Sequence, residues 1–550
     1  TRLRNCLTSL KKTKKSQGSH QPVHWMCLIN LLQDPFNIKI EMTTAHTKIL
    51  SLKDLASKAE ELRQQGKRII LCHGTFDLLH IGHIRHLQNA HKEGDILITT
   101  VTGDSYVNKG PGRPVFPEHL RSENLAALAC VDFVAINQAL TATNVISLVK
   151  PHAYVKGTEY KDDKDDLTGN IALERDAVEK YGGELIFTKD ITFSSSNLLN
   201  ENFGVFPKEV KEYLEKIRNG HNDSELIQKL KSCGRMKVMV VGDSIIDEYQ
   251  YTSLLGQSGK GSHQSVKYQS TEQFAGGALA VANHLAGFVE SVTLVTGLGE
   301  GDNHEDFIRS KLKENVIPQF HYFKNAPTIV KTRFVDGDLN KLFEVYNFNE
   351  QSTLEDNGKE LYSWLKNKTQ NFDIVVTPDF GNGFITREMI QVLCGKSRFL
   401  AVNTQINSGN RGYHAINHYP RADFISLNGP ELRLAAHNRY DSLEGLAKKI
   451  AENLDAKYIA VTLGRQGAFL LDRKVNTTHA TPVLSTKVLD RVGAGDAFLS
   501  LSSLCLGTGM PPEIGLFIGS AAAALDVQIV CNREPISPVN LYKYITTLLK

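Results

Sequence analysis

The stretch "GTFDLLHIGH", Gly74–His83, directly follows the apolar run "RIILCH", Arg68–His73, and its reading decides the fold of the first half of the chain. The run is short and rich in Ile and Leu, as a buried strand is. Gly74 permits a tight turn after it. His80 and His83 stand three apart and share one face if a helix opens at Leu79 or His80. Gly82 between them lets a ligand approach the backbone. A strand, a turn and a helix start together collect anions, because unpaired N–H groups and the positive end of the helix dipole converge there. Two imidazoles at that place suit phosphate oxygens and the charge that grows as a phosphorus is attacked. Read alone, the pair also fits a zinc site or two core histidines. No cysteine or third ligand accompanies the HxxH spacing, which argues against zinc.

Outward from this stretch, "DILITTVTGD", "DFVAI", "AYVKG" and "ELIFT" are further short apolar segments. Helix candidates such as "PEHLRSENLAALA" and "TATNVISLVK" lie between them, an alternation that predicts a parallel sheet with helices on both faces. Residues 201–234, with "KEVKEYLEKIRNG" and "DSELIQKLKSC", are charged and helix-prone and read as a helical linker. A new strand begins in "MKVMVVGDSIID", and alternation resumes through "SVTLVTGLG", "FDIVVTPDFG", "RFLAVNTQ", "ADFISLN" and "YIAVTLG". Nothing repeats between the halves at a fixed period. The expected organisation is an extension over residues 1–47, an α/β domain over 48–200, the linker, and a second, different α/β domain over 235–550.

The 550 residues exceed one ordinary core. With 41% hydrophobic and 22% charged residues the chain reads as soluble and globular. A net charge of +3 gives no general argument for nucleic acid or an acidic membrane as partner. The eight cysteines (Cys6, Cys27, Cys72, Cys130, Cys233, Cys394, Cys505 and Cys531) contain no CxxC pair, so a reducing cytoplasm is the expected compartment. No apolar run reaches the roughly 18 residues of a membrane span. "KKTKK" followed by "VHWMCLINLL" has the basic and apolar parts of a signal peptide, but "QDPF" follows instead of a small-residue cleavage site. A disordered extension, or readthrough ahead of a start at Met42, is the expectation.

A second signature is "DRVGAGDAF", Asp490–Phe498. Gly493, Ala494 and Gly495 are small residues at a helix start, where exposed N–H groups cradle an oxyanion. Asp496 at that spot is placed to take the proton from an attacking hydroxyl. A Gly-rich turn with Asp as a helix cap is the plainer alternative.

Around the histidines, "GTFDLLHIGH", "VTGDSYVNKGPGRPVFPEHLR", "CVDFV", "VKGTEY" and "FSSSNLL" follow one another in an order that resembles the HxGH nucleotidyltransferases, particularly the cytidylyltransferase-like domains of ADP-heptose synthases and glycerol-3-phosphate cytidylyltransferases. The resemblance covers Lys67–Asn200 and implies a Rossmann-like domain in which His80 and His83 contact nucleotide phosphates. Thr75 and Phe76 would hold the phosphate end, and Lys109, Arg113 and Arg121 would be the cations around the triphosphate and the sugar phosphate. Lys156 would reach the site from its strand end. Ser194, Ser195 and Ser196 stand where the family has Ser-Thr-Thr and would bind phosphate. Asp77 is expected to support the turn. The implied reaction is attack of a sugar-1-phosphate on the α-phosphorus of ATP or CTP, with Mg²⁺ and release of pyrophosphate.

From Met236 onward the chain resembles the ribokinase/PfkB carbohydrate kinases, which implies a ribokinase-like α/β domain. "VGDSIIDEY" and "FAGGALAVANHLAGF" are the sugar-side motifs, so Asp243, Asp247, Gly276, Gly277 and Asn283 would bind the sugar. "NGPE" supplies Asn428 and Glu431, which would organise Mg²⁺ and phosphates through water. "VTLGRQGAFL" supplies Thr462, Gly464 and Gly467 on the ATP side, and Asp496 would be the base. The combination is similar to the bifunctional heptose-phosphate kinase/adenylyltransferases, in which the kinase leads; here it follows. Asn382 in "DFGNG" replaces a family Lys, and "VNTQINSGN" (Asn403, Gln405) replaces a "DPKG"-like stretch. Arg333 and Lys331 remain as anion partners. The resemblance thus implies a bifunctional enzyme of activated-sugar synthesis, with a sugar or sugar phosphate and nucleoside triphosphates as its partners and a homodimer as its common assembly. Activity in one domain alone, and a sugar- or nucleotide-sensing regulator, are the alternatives.

Overall fold

The computed structural model describes residues 45–157, 170–188, 200, 206–324, 326–349, 358–410, 412–485 and 487–550. Its contacts divide the chain after Thr47. Nearly all of the expected extension, and Ser194–Ser196, lie outside the described residues.

The N-terminal sheet contains β1 (Ile69–Gly74), β2 (Ile96–Thr102), β3 (Phe133–Asn137), β4 (Ala153–Gly157) and β5 (Glu184–Thr188), in the order β3-β2-β1-β4-β5. All its neighbours are parallel. Helices cover both faces of such a sheet, which is why Ile69–Cys72 is apolar without alternation and fully buried. Leu55, Ile69, Leu71, Ile98, Val145 and Tyr154 belong to the domain's core. Chain order runs outward from β1 through β2 to β3, then returns to the other side of β1 with β4. Open α/β sheets bind ligands in the crevice at such a reversal, beyond the carboxyl ends of the strands. Gly74–His83 leaves β1 there, and Lys156–Gly157 ends β4 beside it.

The second domain is built on nine strands. They are β6 (Lys237–Val241), β9 (Ser291–Gly299), β10 (Val316–Phe323), β13 (Ile374–Asp379), β14 (Leu400–Thr404), β15 (Phe424–Asn428), β16 (Tyr458–Thr462), β17 (Ala468–Asp472) and β18 (Thr477–Thr481). Their order is β10-β9-β6-β13-β14-β15-β16-β17-β18, so the reversal falls between β6 and β13. A separate four-stranded sheet, β12-β11-β7-β8, is formed by β7 (Ser244–Gln257), β8 (Gln264–Gly277), β11 (Ile329–Val335) and β12 (Lys341–Asn347). Because β7 starts three residues after β6 ends, this sheet is anchored at the edge of the crevice.

The expected linker packs into the core of the second domain. Its helices Lys208–Gly220 and Asp223–Ser232 bury Val210, Leu214, Ile217, Leu226, Ile227 and Leu230 in the same cluster as Val238 and Leu504. Their spacing makes an apolar stripe beneath the charged surface. Among the described residues no helix is long and apolar enough to cross a membrane, and all six described cysteines are free thiols.

Candidate active sites

His80 caps α1 (Ile81–His91), its Nδ1 accepting the Gly82 N–H at 3.1 Å. The His80 and His83 rings stack with centroids 3.9 Å apart, and Phe76 stands edge-on to His83 at 5.3 Å. Two imidazoliums could not stack so closely without strong repulsion. Accordingly His83 is pushed down to about 3, first by burial and then by the charges of His80, Lys109 and His86. His80 is also lowered, by burial and by Lys109. Both shifts favour the neutral imidazole, and the backbone of Leu78 makes a hydrogen bond to His83 that opposes its own. Phe76 is buried with φ of 49°, and its ring packs on Gly74. It therefore braces His83 and the turn.

Lys109 lies in the loop facing this pair. It is pushed down to about 8 by burial, with Asp77 opposing and Arg113, Lys550 and Lys543 adding to the effect. Arg113 pairs with Asp77 at 3.3 Å and donates to Asn200 Oδ1 at 2.7 Å. Asp77 Oδ1 accepts the N–H groups of Val115 and Phe116, so it does support the loop. Two cations expected at the phosphates are engaged elsewhere. Arg121 is fully buried; it donates to the carbonyls of Phe116, Thr75 and Thr102 at 2.8, 2.5 and 2.9 Å and pairs with Asp104. It ties three loops together behind the site, and the Thr75 carbonyl is one of its anchors. Lys156 is paired with buried Glu174 at 3.3 Å and stands over the Tyr154 ring. His73 was not singled out by sequence. Its ring meets Thr100 Oγ1 at 2.9 Å and Thr102 Oγ1 at 3.3 Å, and burial pushes it to about 3.

In the second domain, acidic side chains gather where β6 and β13 part. Asp243 accepts the Phe380 N–H at 3.0 Å and is pushed up to about 6 by burial and by Asp379. Asp379, at the end of β13, accepts the Tyr419 hydroxyl at 2.7 Å and lies 2.8 Å from His414 Nε2. Burial opposes charge on His414, but that carboxylate prevails and raises it. Sequence reading passed over Asp379, Tyr419 and His414; the only signal was that "VVTPDFG" ends a strand.

Asp247 on β7 pairs with Arg333 on β11, and Arg333 Nε donates to Glu344 at 3.0 Å. Lys331, two residues away, is buried with its ammonium 5.2 Å from the Tyr346 ring centre and 5.6 Å from that of Phe380. Gly276 and Gly277 end β8 and lead into α2 (Ala278–Ala286). Gly277 has φ of 61°, and a Cβ there would meet the Asp243 carbonyl at 2.6 Å. Asn283 does not face the acids: its amide holds Lys311 O at 2.9 Å and the Lys313 N–H at 3.0 Å. It pins a neighbouring segment.

Gly276→Ala carries a sharp expectation. Its Cβ would fall 2.0 Å from Asp247 Oδ2, a carboxylate that Arg333 holds in place. We expect the clash to displace the Asp247 carboxylate and to destabilise the domain by about 1–3 kcal/mol, as overpacking does. Denaturant titration of the variant and the parent checks this.

Asp496 sits in the first turn of α4 (Ala494–Gly507), behind Gly493 with φ of 103°. Burial, then Asp247 and more weakly Glu431, push it up to about 7 against the pull of Lys331. Ala494 and Gly495 open the same turn, and no atom lies within 4 Å of a Cβ placed on Gly495, so the helix start is open. Asn428 and Glu431 form a reciprocal cap on α3 (Gly429–Ala435): Asn428 Oδ1 takes the Glu431 N–H and Glu431 Oε2 takes the Asn428 N–H. Glu431 Oε1 also accepts the Ile406 N–H, and burial pushes the carboxyl up to about 7. Thr462 ends β16; Gly464 and Gly467 have φ of 58° and 85° in the turn to β17, and a Cβ on Gly467 would strike Thr481 O at 2.0 Å. Asn403 donates to Ser426 O, and Asn382 Nδ2 lies buried without a partner among the described residues.

No group of three side chains able to ligate a metal occurs among the described residues. Mg²⁺ is commonly held by one or two carboxylates, waters and substrate phosphates. Each Glu431 oxygen accepts one N–H and keeps lone pairs for such an arrangement.

The chemistry-bearing features of this α/β chain are thus a stacked histidine pair at one sheet reversal and a cluster of carboxylates at the other. Known families agree. The pfkB family carbohydrate kinase pattern matches residues 235–535, and the cytidylyltransferase-like pattern matches residues 71–202. The first covers more than half of the chain, which therefore belongs to the pfkB family of carbohydrate kinases, with a cytidylyltransferase-like domain ahead of it. The bifunctional protein HldE of Desulfatibacillum aliphaticivorans is 39% identical over 151 residues, 27% of this chain and 29% of that protein. HldE of Koribacter versatilis is 27% identical over 333 residues, 60% of this chain and 66% of that protein. The chain thus spans less than two thirds of the length of these relatives. A ribokinase structure from Thermotoga maritima aligns with 56% of this chain and 99% of its own at 21% identity, with a TM-score of 0.46.

Proposed function

We propose that this chain makes a nucleotide-activated sugar in two steps. The observation that carries the reading is the pairing, in one chain, of Asp496 behind an open helix start with a stacked, neutral histidine pair at a second sheet reversal. In the kinase step an anomeric sugar hydroxyl attacks the γ-phosphorus of ATP, Asp496 takes its proton, and ADP leaves. Asp243 and Asp247 orient the sugar hydroxyls, and Gly493, Ala494 and Gly495 present N–H groups to the transferring phosphoryl. Mg²⁺, anchored through water on Glu431, would offset the phosphate charge. In the transferase step a sugar-1-phosphate oxygen attacks the α-phosphorus of ATP or CTP and pyrophosphate leaves. His80, His83 and Lys109 stabilise the growing charge, while Arg113 shapes the loop.

The sugar is heptose-like, the reading that the order of motifs in the two domains supports. Buried Lys331 among Asp247, Asp496 and two aromatic rings supports a sugar that already carries a phosphate. The free thiols suit the cytoplasm. Apolar side chains exposed on the four-stranded sheet, among them Leu254, Leu255, Phe343 and Val345, offer a surface for a second copy.

The test is a pyrophosphate-release screen of ATP and CTP against a panel of sugar-1-phosphates, followed by kinase assays on the matching sugars and sugar phosphates. A heptose-1-phosphate, with or without a second phosphate, is the expected acceptor. Release with no acceptor in the panel, or ATP consumption with no sugar, would refute the scheme.

A further inference from the structure

Asp490 opens the stretch that leads to Asp496 and sits at the seam between the four-stranded sheet and the rest of the second domain. It is buried, and its carboxylate gathers five donors. Oδ1 accepts the Arg491 N–H at 2.7 Å, the Val492 N–H at 3.2 Å and the Lys341 ammonium at 3.0 Å. Oδ2 accepts the Tyr249 hydroxyl at 2.6 Å and the Cys531 N–H at 3.1 Å. Burial opposes its charge, but Tyr249 and Lys341 prevail and hold it below the usual carboxylate range. Arg491 and Val492 lead directly into Gly493, whose φ of 103° turns the backbone into α4. Tyr249 lies on β7 two residues beyond Asp247, so the two side chains share one face of the sheet. Its ring is fully buried in a small cluster with Phe274, Val335, Val530 and Cys531. Lys341 opens β12, an edge strand whose other residues are exposed or half-buried. Its side chain, 31% exposed, leaves that edge to reach a carboxylate that is 4% exposed.

We infer that Lys341 is a positioning residue of the kinase: through Asp490 its ammonium fixes the turn that carries Gly493–Asp496 and ties that turn to the sheet that carries Asp247. The inference rests on the reading of Asp496 and its turn as the phosphoryl-transfer site. Phosphoryl transfer leaves the protein little covalent chemistry to do, so alignment of donor, acceptor and base supplies much of the rate. Asp247 belongs to the four-stranded sheet and Asp496 to α4. Asp490 is one carboxylate on which both converge, through Tyr249 and Lys341 from the sheet and two N–H groups from the turn. A charged donor bonds a carboxylate about twice as strongly as a neutral one. Without the ammonium Asp490 keeps four neutral donors, and the edge strand loses its charged hold on the turn. Asp247 keeps its pairing with Arg333, so the sugar still binds while its alignment with Asp496 is lost.

The transferase is an internal control, because its Lys109 loop rests on other joins. The Gly110 backbone, with φ of 86°, lies on the Tyr544 ring as on a floor, and a Cβ there would fall 2.0 Å from Cδ2. Asn200 accepts from Arg113 at 2.7 Å and donates to Thr547 O at 2.7 Å. Tyr544 and Thr547 both belong to the helix Pro538–Leu549.

The test uses the full chain and ATP, with a heptose and its phosphate as sugar probes. The parent, Lys341→Ala, Lys341→Met, the double variant Lys341→Ala/Asp490→Asn and Asp496→Asn are compared. Lys341→Met keeps most of the aliphatic stem and removes the charge. Both single Lys341 variants are expected to show a kcat lower by about tenfold or more, with the sugar KM and pyrophosphate release close to the parent's. Ethylammonium added to Lys341→Ala should raise the rate about threefold or more by bonding the carboxylate. Tetramethylammonium at the same ionic strength, which has no proton to donate, should not, and the double variant should respond to neither. A kcat close to the parent's in the single variants overturns the inference, and so does a loss that ethylammonium leaves in place. In either case a collapse of the rate in Asp496→Asn leaves the kinase reading standing. An undiminished rate in Asp496→Asn, or a parent that phosphorylates neither probe, overturns that reading, and the inference falls with it.

Discussion

Asp496→Asn is expected to lower sugar-dependent ATP consumption by about 10²–10⁴-fold, the contribution of a positioned general base, while pyrophosphate release from the transferase stays at the parental rate. The amide preserves shape and removes only the proton acceptor. A second signature is the pH profile. Asp496 is held at about 7 by burial and by the Asp247 and Glu431 carboxylates, and a base works only when ionised. The parental kcat should therefore climb as pH rises toward about 7 and level off above it, and the variant's residual rate should lack that limb. Stability gives an independent check. The folded-state value lies above that of an unfolded Asp, about 3.9, so over the interval between them the unfolded chain binds fewer protons. Stability falls as pH rises through that window. Asp496→Asn should remove this decline and be at least as stable as the parent above pH 7, as denaturant titration at several pH values would measure. A kinase whose rate survives the substitution has another base.

His83→Ala is expected to lower pyrophosphate release by about 10²–10³-fold, the usual cost of one donor at a developing oxyanion, with kinase turnover unchanged. The effect should appear in kcat as well as KM, because the bond strengthens as charge grows on the phosphorus oxygens. Since His83 is pushed to about 3, it stays neutral throughout the working range. The transferase profile should show no limb from its titration between pH 5 and 8. A limb that disappears in His83→Ala would show that the imidazolium acts there. Gln at this position, which keeps a donor, should recover part of the rate.

Strand-end residues were legible in the sequence because short apolar runs mark where a parallel strand stops, and ligands gather beyond that point. Gly74–His83, Asp243 and Asp496 stand at such ends or at the helix starts that follow them. Side chains whose partners are remote backbone atoms were not legible. Arg121 reads as one of the cations around the phosphates, yet it is held by the carbonyls of Thr75, Thr102 and Phe116. Asn283 lies in the motif that begins with Gly276–Gly277, but the helical turn of 3.6 residues carries it away from the acids and toward Lys311 and Lys313. Asp379 meets Asp243 only because β13 lies beside β6, a pairing across 136 residues that no local pattern announces. The burial of the helices Lys208–Gly220 and Asp223–Ser232 against the second domain was not legible for a different reason. Their charge count outweighed the Val210, Leu214 and Ile217 stripe, whose spacing was visible.

The join between Asn200 and Thr547 spans 347 residues of sequence. Domains fold largely as units, the N-terminal one first as synthesis proceeds. During translation, then, the cytidylyltransferase-like sheet forms early, but the loop bearing Lys109 gains its floor only when the helix Pro538–Leu549 has left the ribosome. The cytidylyltransferase-like domain is thus completed by a helix of the domain that follows it in the chain.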